Sequence, residues 1–226
     1  MAAPDLSIVI PVLNEEATID GLLHNLEGLA GVEIILVDGG SSDNTVALAS
    51  GRARVLQSAP GRAAQMNAGA KAAAGDVLLF LHADARPAPG FADQIRRALA
   101  DAAVVGGNFD IHYEGGDWAA RCFTHVNRWR RNCRIFYGDS GIFCRRTTFE
   151  SLGRYKPWPI MEDYDFARRL SRCGKLALLN EPILVSGRRW RNAGFFRTLW
   201  SWVVIQGLYS AGVSPQRLAR LYRHVR

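Results

Sequence analysis

Cysteine is scarce and poorly spaced. The four present, Cys122, Cys133, Cys144 and Cys173, form no C-x-x-C pair. That spacing implies neither a zinc knuckle nor a disulfide framework, and it predicts a reduced, cytoplasmic setting. No secretory leader is expected: residues 1–7 carry no basic segment ahead of a long apolar run. Internal repeats and low-complexity segments are absent, apart from mild alanine enrichment. Long hydrophobic runs are also wanting. The most apolar stretch, residues 195–213, contains Arg197, Gln206 and two glycines. It is poorly suited to cross a bilayer and better suited to an interfacial helix. Acids are in the minority, with 21 Asp and Glu against 28 Lys and Arg, a net charge of +7 and a pI near 9.6. The excess lies late in the chain and suits an anionic partner such as phosphate, lipid headgroups or nucleic acid.

What is present is ordinary globular material: 226 residues, 48% hydrophobic and 22% charged. That is enough for one large α/β domain with a substantial core. Leu6-Ser7-Ile8-Val9-Ile10-Pro11-Val12 and Val32-Glu33-Ile34-Ile35-Leu36-Val37-Asp38 read as buried strands, with Pro11 marking the end of the first. Between them, Asn14-Glu15-Glu16 opens a helix with an apolar stripe at Ile19, Leu22, Leu23 and Leu26. Its carboxylates also suit the helix dipole. Arg54-Val55-Leu56-Gln57 is a short third strand. Gly61-Arg62 leads into an alanine-rich helix, and Arg62 stands where a cation opposes the dipole, which a bound diphosphate would explain.

The organising stretch is Val77-Leu78-Leu79-Phe80-Leu81-His82-Ala83-Asp84-Ala85. Its unbroken apolar run predicts one strand buried on both faces, and its polar tip predicts a ligand site at the strand's carboxyl end. Asp84 there suits a hard divalent cation shared with substrate phosphates. Asp38, also at a strand end, is followed by Gly39-Gly40-Ser41-Ser42-Asp43-Asn44-Thr45. Asp43 reads as the N-cap of the next helix. Asp38 shows no comparable structural job, and a carboxylate beside glycines suits a ribose hydroxyl or a base edge. Residues 104–111 read as another strand, 119–130 as a basic aromatic helix, and 176–179 and 183–185 as further strands. Glu162, Asp163 and Asp165 crowd the start of a helix running to Cys173. Adjacent carboxylates raise one another's pKa, which general-base work at neutral pH needs. The strand–helix alternation predicts a doubly wound, mostly parallel sheet flanked by helices.

Together these residues resemble family 2 glycosyltransferases, inverting enzymes of the GT-A fold. The likeness rests on Ile8-Val9-Ile10-Pro11-Val12-Leu13-Asn14-Glu15-Glu16, on Ile35-Leu36-Val37-Asp38-Gly39-Gly40-Ser41-Ser42-Asp43-Asn44-Thr45, on His82-Ala83-Asp84 and on Glu162-Asp163. It covers at least residues 6–184. Within the family the chain resembles a short bacterial subgroup associated with radical-SAM and arsenosugar neighbourhoods. The resemblance implies an enzyme moving a sugar from a nucleotide-diphosphate sugar to the hydroxyl of a small or lipid-linked acceptor. Pro11, Asn14, Glu15, Asp38, Gly39, Ser41, Asp43, Arg62 and Ala83 would line the nucleotide site. Asp84 and His82 would hold Mg2+ or Mn2+, with His82 standing where the family's usual first Asp would be. Asp163 would take the acceptor proton with Glu162 in support, and Asp139 and Trp190 would meet the acceptor. Ser186-Gly187-Arg188-Arg189-Trp190 departs from the Gln-x-x-Arg-Trp motif of polymer-making members, which implies a single transfer.

The expected division is a catalytic domain over 1–190, with a nucleotide-binding half at 1–111 and an acceptor half at 112–190, followed by a basic helical extension at 191–226. The extension reads as a surface for peripheral contact with the inner face of the membrane or for a homodimer, or as a helix closing the domain. The alternative activity is a nucleotidyltransferase acting on a sugar phosphate. Such enzymes usually carry a glycine-rich basic loop after the first strand, where this chain has Pro11-Val12-Leu13-Asn14. The arginine-aromatic segment 123–134 also invites nucleic acid, but no groove-reading motif accompanies it, so no nucleic-acid partner is expected.

Overall fold

A computed structural model describes residues 3–225; the side chains of Arg189, Trp190, Asn192 and residues 223–225 lie outside the description. The chain runs β1 (Leu6–Val12), α1 (Glu16–Leu26), β2 (Val32–Asp38), α2 (Thr45–Ala49), β3 (Arg54–Gln57), α3 (Arg62–Ala72), β4 (Val77–Phe80), β5 (Ala85–Pro87), α4 (Phe91–Leu99) and β6 (Val104–Tyr113). It continues α5 (Trp118–Asn132), β7 (Ile142–Arg145), α6 (Arg146–Ser151), α7 (Glu162–Cys173), β8 (Lys175–Val185), α8 (Arg188–Ala193), α9 (Phe195–Ser210) and α10 (Pro215–Val225). A turn of 3-10 helix, Gly138–Ser140, precedes β7.

One eight-stranded sheet has the order β3-β2-β1-β4-β7-β6-β8-β5. The half built from β1 to β4 is parallel. The second half is mixed: β7 runs antiparallel to β4 and β6, β8 runs parallel to β6, and β5 runs antiparallel to β8. The order reverses about β1, since β2 and β3 extend to one side and β4 returns to the other. Ligands of open α/β sheets bind outside the strand ends at such a reversal.

Alternation along the strands explains their unbroken hydrophobicity. Ile8, Ile10 and Val12 enter the core under α1 and α4, while Val9 enters the opposite core with Met66, Phe149 and Phe166. In β4, Leu79 joins the first core and Leu78 and Phe80 the second. Packing against α3 is tight. A Cβ on Gly69 would sit 2.3 Å from Val9 Cγ1 and 2.9 Å from Val37 Cγ2, so the alanine-rich helix needs a glycine where it meets the sheet.

The expected single strand from Val77 to Ala85 is instead two. β4 ends at Phe80, and after Leu81 N–H donates to Val9 O (3.0 Å) the chain leaves the ladder. It turns through residues 82–84, with Ala85 N–H donating to His82 O (3.1 Å), and Ala85 then pairs with Val185 at the far edge. The departure frees His82 and Asp84 from a ladder that would bury them, and it leaves Pro87 on an edge strand, where a residue without N–H is tolerated. It also accounts for Pro11, which does not end β1 as expected. Pro11 shares a side with Val9, where β4 has already gone, so its missing donor costs no ladder bond. The two short strands expected at 176–179 and 183–185 are one, β8, with a register shift opposite Phe109 and Asp110.

Candidate active site

The loops after β1 and β2 are laced together by reciprocal hydrogen bonds. Asn14 adopts a left-handed backbone (φ 55°), a conformation its short polar side chain tolerates. Its N–H donates to Ser41 Oγ (2.9 Å), and its Oδ1 accepts from Ser42 N–H (2.8 Å). Glu15 N–H donates to Thr45 Oγ1 (2.8 Å) and Glu16 N–H to Asp43 Oδ2 (3.1 Å), while Glu16 Oε2 accepts from Asn44 N–H (3.0 Å). Asp43 therefore does not cap α2 in the expected way. The cap position belongs to Asn44, and Asp43 ties the starts of α1 and α2 to each other, accepting also from Thr45 N–H (3.0 Å).

Asp38 also carries a structural role that the sequence reading denied it. It is 1% exposed and accepts from Gly40 N–H (3.1 Å), Ser41 N–H (3.0 Å) and Ser41 Oγ (2.5 Å). Burial pushes its pKa up, but the bonds from Ser41, Gln57 and Gly40 outweigh burial and hold it below the usual carboxylate value. Gly39 N–H donates to Val12 O (3.0 Å). Beneath it, Gln65 of α3 spans the strand ends, donating to Val12 O (2.7 Å) and Val37 O (2.8 Å).

The second group of acids lies at the start of α7. Met161 precedes the helix in a left-handed conformation (φ 64°) while 5% exposed, which is strained backbone for a long side chain. Glu162 and Asp163 are both buried. Asp163 Oδ2 accepts from Gly138 N–H (2.9 Å) and Oδ1 from Tyr164 N–H (2.7 Å). A Cβ on Gly138 would lie 2.8 Å from His82 Nε2 and 3.2 Å from Asp163 Oδ2, so both side chains press on one point that only glycine leaves open. Ser140 Oγ closes this turn by donating to Tyr137 O (2.6 Å) and accepting from Asn108 Nδ2 (3.2 Å).

Glu162 pairs with Arg62, Nε to Oε1 at 2.8 Å. Burial pushes its pKa up to about 7; Arg62 pulls it down and Asp163 pushes it further up. Arg62 thus meets a buried carboxylate at the helix start, where its unfavourable position had suggested a diphosphate. The third acid of the crowd, Asp165, is neutralised by Lys156 (2.9 Å) and Arg169 (2.7 Å).

Asp84 faces Arg188 of α8. The guanidinium Nη2 stands 3.6 Å from Asp84 Oδ2 and 3.2 Å from Glu15 Oε2, linking the 82–84 turn to the start of α1. Ser186 N–H donates to Asp84 O (3.2 Å) on the same side. One continuous line of contacts therefore leads from Asp38 through Ser41, Asn14 and Glu15 to Arg188 and Asp84. It continues along the turn to His82, Gly138, Asp163, Glu162 and Arg62. The acids and their partners border the carboxyl ends of β1, β2 and β4, at the sheet's reversal.

The model of the family described as glycosyl transferase family 2 matches residues 7–155, which includes both strand-end loops and the 82–84 turn. The chain belongs to glycosyltransferase family 2. A PGL/p-HBAD biosynthesis glycosyltransferase of Mycobacterium bovis is 30% identical over 184 residues, covering 74% of this chain and 69% of that protein. A solved glucosyl-3-phosphoglycerate synthase of Mycobacterium tuberculosis, in complex with Mn2+, UDP and glucosyl-3-phosphoglycerate, has a TM-score of 0.58 at 25% identity, over 79% of this chain and 70% of that one. A Pyrobaculum calidifontis mannosyltransferase, in complex with GDP-Man and Mn2+, has a TM-score of 0.66 over 100% of this chain and 70% of that one. At 18% identity this shows the fold, which is GT-A.

Nine of the fifteen residues singled out from the sequence of this glycosyltransferase lie on that line, and Pro11, Gly39 and Asp43 flank it in β1 and in the loop after β2. The other three stand apart. Ala83 points into the core beneath β1, so only its backbone reaches the turn. Asp139 lies within the Gly138–Ser140 turn, one residue beyond the bond to Asp163. Trp190 belongs to α8, and its side chain is outside the described set. The reading missed Gln65, Gly138, Met161 and Arg188. Gln65 and Gly138 had a signal, being a polar residue on an otherwise apolar helix face and a glycine directly before Asp139. Met161 had none, and Arg188 was one arginine among several.

Proposed function

We propose that this enzyme carries out a single inverting transfer, from a nucleoside-diphosphate sugar to the hydroxyl of a small or lipid-linked acceptor, with Asp163 as the base. The observation that carries the reading is the setting of Asp163. It is buried in the first turn of α7, oriented by Gly138 N–H, and stands beside His82 at the carboxyl end of the β4 segment. As the acceptor oxygen bonds to the anomeric carbon, its proton passes to an Asp163 carboxylate oxygen. The bond from that carbon to the diphosphate breaks, and the electron pair leaves with the nucleoside diphosphate. Glu162 and Arg62 hold α7 against α3, and so fix where Asp163 stands. Asp38, Ser41 and Asn14 form the rim that meets base and ribose, with Pro11, Glu15, Gly39 and Asp43 around them.

Asp84 and His82 are the residues that would hold a divalent cation. The donor set fits: the Asp84 carboxylate is a hard oxygen ligand suited to Mn2+ or Mg2+, and a neutral His82 imidazole can join it on Mn2+. Among the described residues no cluster of three His, Cys, Asp or Glu side chains could hold a metal. When bound, the cation neutralises charge on the departing diphosphate. The Mn2+ and UDP in the synthase structure support this assignment.

The test is Asp163→Asn, which keeps an oxygen to accept from Gly138 N–H but cannot take a proton. Transfer is expected to fall by about 10²–10⁴-fold, with nucleoside diphosphate binding retained. Unchanged turnover would remove Asp163 from the role. Pyrophosphate released in place of nucleoside diphosphate would establish the nucleotidyltransferase alternative.

A further inference from the structure

The half of the molecule built from α5 and the C-terminal helices carries a surface that the transfer reaction does not use. α5 and α9 lie side by side: Phe123 packs against Phe195 (ring centroids 4.7 Å apart) and Trp202 (4.9 Å). On the outer side of this pair the aromatic residues are left in solvent. Trp118 is 60% and Trp129 66% exposed on α5; Phe196 is 77%, Trp200 68% and Val203 56% exposed on α9. The spacing is helical on both elements, with residues 118 and 129 on one stripe and 196, 200 and 203 on another. Trp118, Phe195 and Phe196 join the stripes across the seam, with successive centroids 4.5 and 5.3 Å apart. Single exposed apolar residues are ordinary, but five large ones on two adjoining helices are not.

Charge says what covers it. No Asp or Glu follows Glu181, while arginine recurs at 188, 189, 191, 197, 217, 220, 223 and 226. Of the four arginines of α5, Arg131 is buried, Arg128 pairs with Asp110 and Arg130 bonds Tyr137, which leaves Arg121 to the outer side. Arg121 is exposed one turn from Trp118, and Arg197 adjoins Phe196 on the outer side of α9. Tryptophan set among arginines matches the headgroup region of a bilayer, where the ring enters the boundary and the cation meets lipid phosphate. No helix among the described residues is long and apolar enough to cross a membrane, so the fit is to a surface.

We propose that the outer face of α5 and α9 is a docking surface for an anionic phospholipid bilayer. The claim is independent of the roles assigned to Asp163 and Asp84. Its geometry still bears on the site. Arg130 of α5 donates to the Tyr137 hydroxyl, which donates to Gln206 of α9, and the Tyr137 ring stacks on Tyr164 of α7 at 5.2 Å. The two docking helices therefore grip the turn whose Gly138 N–H holds Asp163.

The experiment is vesicle flotation of the full chain, with phosphatidylcholine alone and with about one-third phosphatidylglycerol. Tryptophan quenching by brominated lipid is read in parallel. Flotation with the anionic vesicles, about tenfold weaker on neutral ones and reversed by high salt, is expected, together with quenching. The double variant Trp129→Ser/Trp200→Ser is expected to bind about tenfold more weakly. Its melting temperature should not move, because both rings are mostly in solvent. Equal flotation on neutral vesicles, no flotation, or no quenching of the unsubstituted protein would overturn the proposal. So would a dimer in sedimentation that the double variant abolishes, since that would assign the face to a second copy of the chain.

Discussion

Glu162→Gln is expected to make the protein more stable at alkaline pH and to leave it nearly unchanged near pH 4.5. Glu162 is 1% exposed, and loss of water favours its protonated form more strongly than Arg62 favours the charged one, so its pKa stands at about 7 against an ordinary 4.5. The folded protein therefore binds a proton at Glu162 more tightly than the unfolded chain does. The stability this contributes is fully present below pH 4.5 and is lost as pH rises through about 7. At about 1.4 kcal/mol for each tenfold, that interval is worth about 3 kcal/mol. Glutamine neither titrates nor needs a counter-ion, and Arg62 is exposed enough to remain solvated without its partner. The assay is denaturant unfolding of wild type and variant between pH 4.5 and about 8, because the carboxylates that do not touch Glu162 titrate in both and cancel in the difference. The difference is expected to grow with pH in favour of the variant, towards about 3 kcal/mol. A constant difference, or one that turns against the variant as pH rises, would show that Arg62 outweighs burial and that the reasoning is wrong. A buried charge retained at a cost to stability is what a functional site predicts and a purely structural pair does not.

Two glycine substitutions separate packing from chemistry. Gly69→Ala drives a methyl group to 2.3 Å from Val9 Cγ1, which is expected to cost about 1–3 kcal/mol in thermal or denaturant unfolding and to leave nucleoside diphosphate affinity intact; a neutral result would mean that α3 slides freely on the sheet. Gly138→Ala pushes His82 and Asp163 apart at their shared contact. Its expected effect is a fall in turnover of about 10²-fold, with nucleoside diphosphate affinity measured by calorimetry nearly unchanged.

The parallel half of the sheet was readable because β1, β2 and β4 are largely buried on both faces and read as apolar runs interrupted only near their starts, at Ser7 and Glu33. The break after Phe80 was hidden for the same reason. Leu81 prolongs the apolar run and is itself buried, and what ends the pairing is the course of the chain towards β5. The antiparallel direction of β7 was not legible, since it depends on partners far away in sequence. At the site, acids at strand ends were plain. Their partners were not, because Arg62 and Glu162 are separated by α3 to α6, and Arg188 reaches Asp84 only after β8 returns along the sheet. The structural role of Asp38 was legible locally. Asp followed by Gly-Gly-Ser is the composition of a turn in which a carboxylate accepts bonds from its own following N–H groups.

Calorimetric titration of nucleoside diphosphate with and without Mn2+ tests the cation-assisted diphosphate site at the 82–84 turn most directly. Wild type is expected to bind about tenfold or more tightly with the metal, and Asp84→Asn to lose that gain while its melting temperature is kept. A metal effect of the same size in Asp84→Asn, or none in wild type, would contradict it.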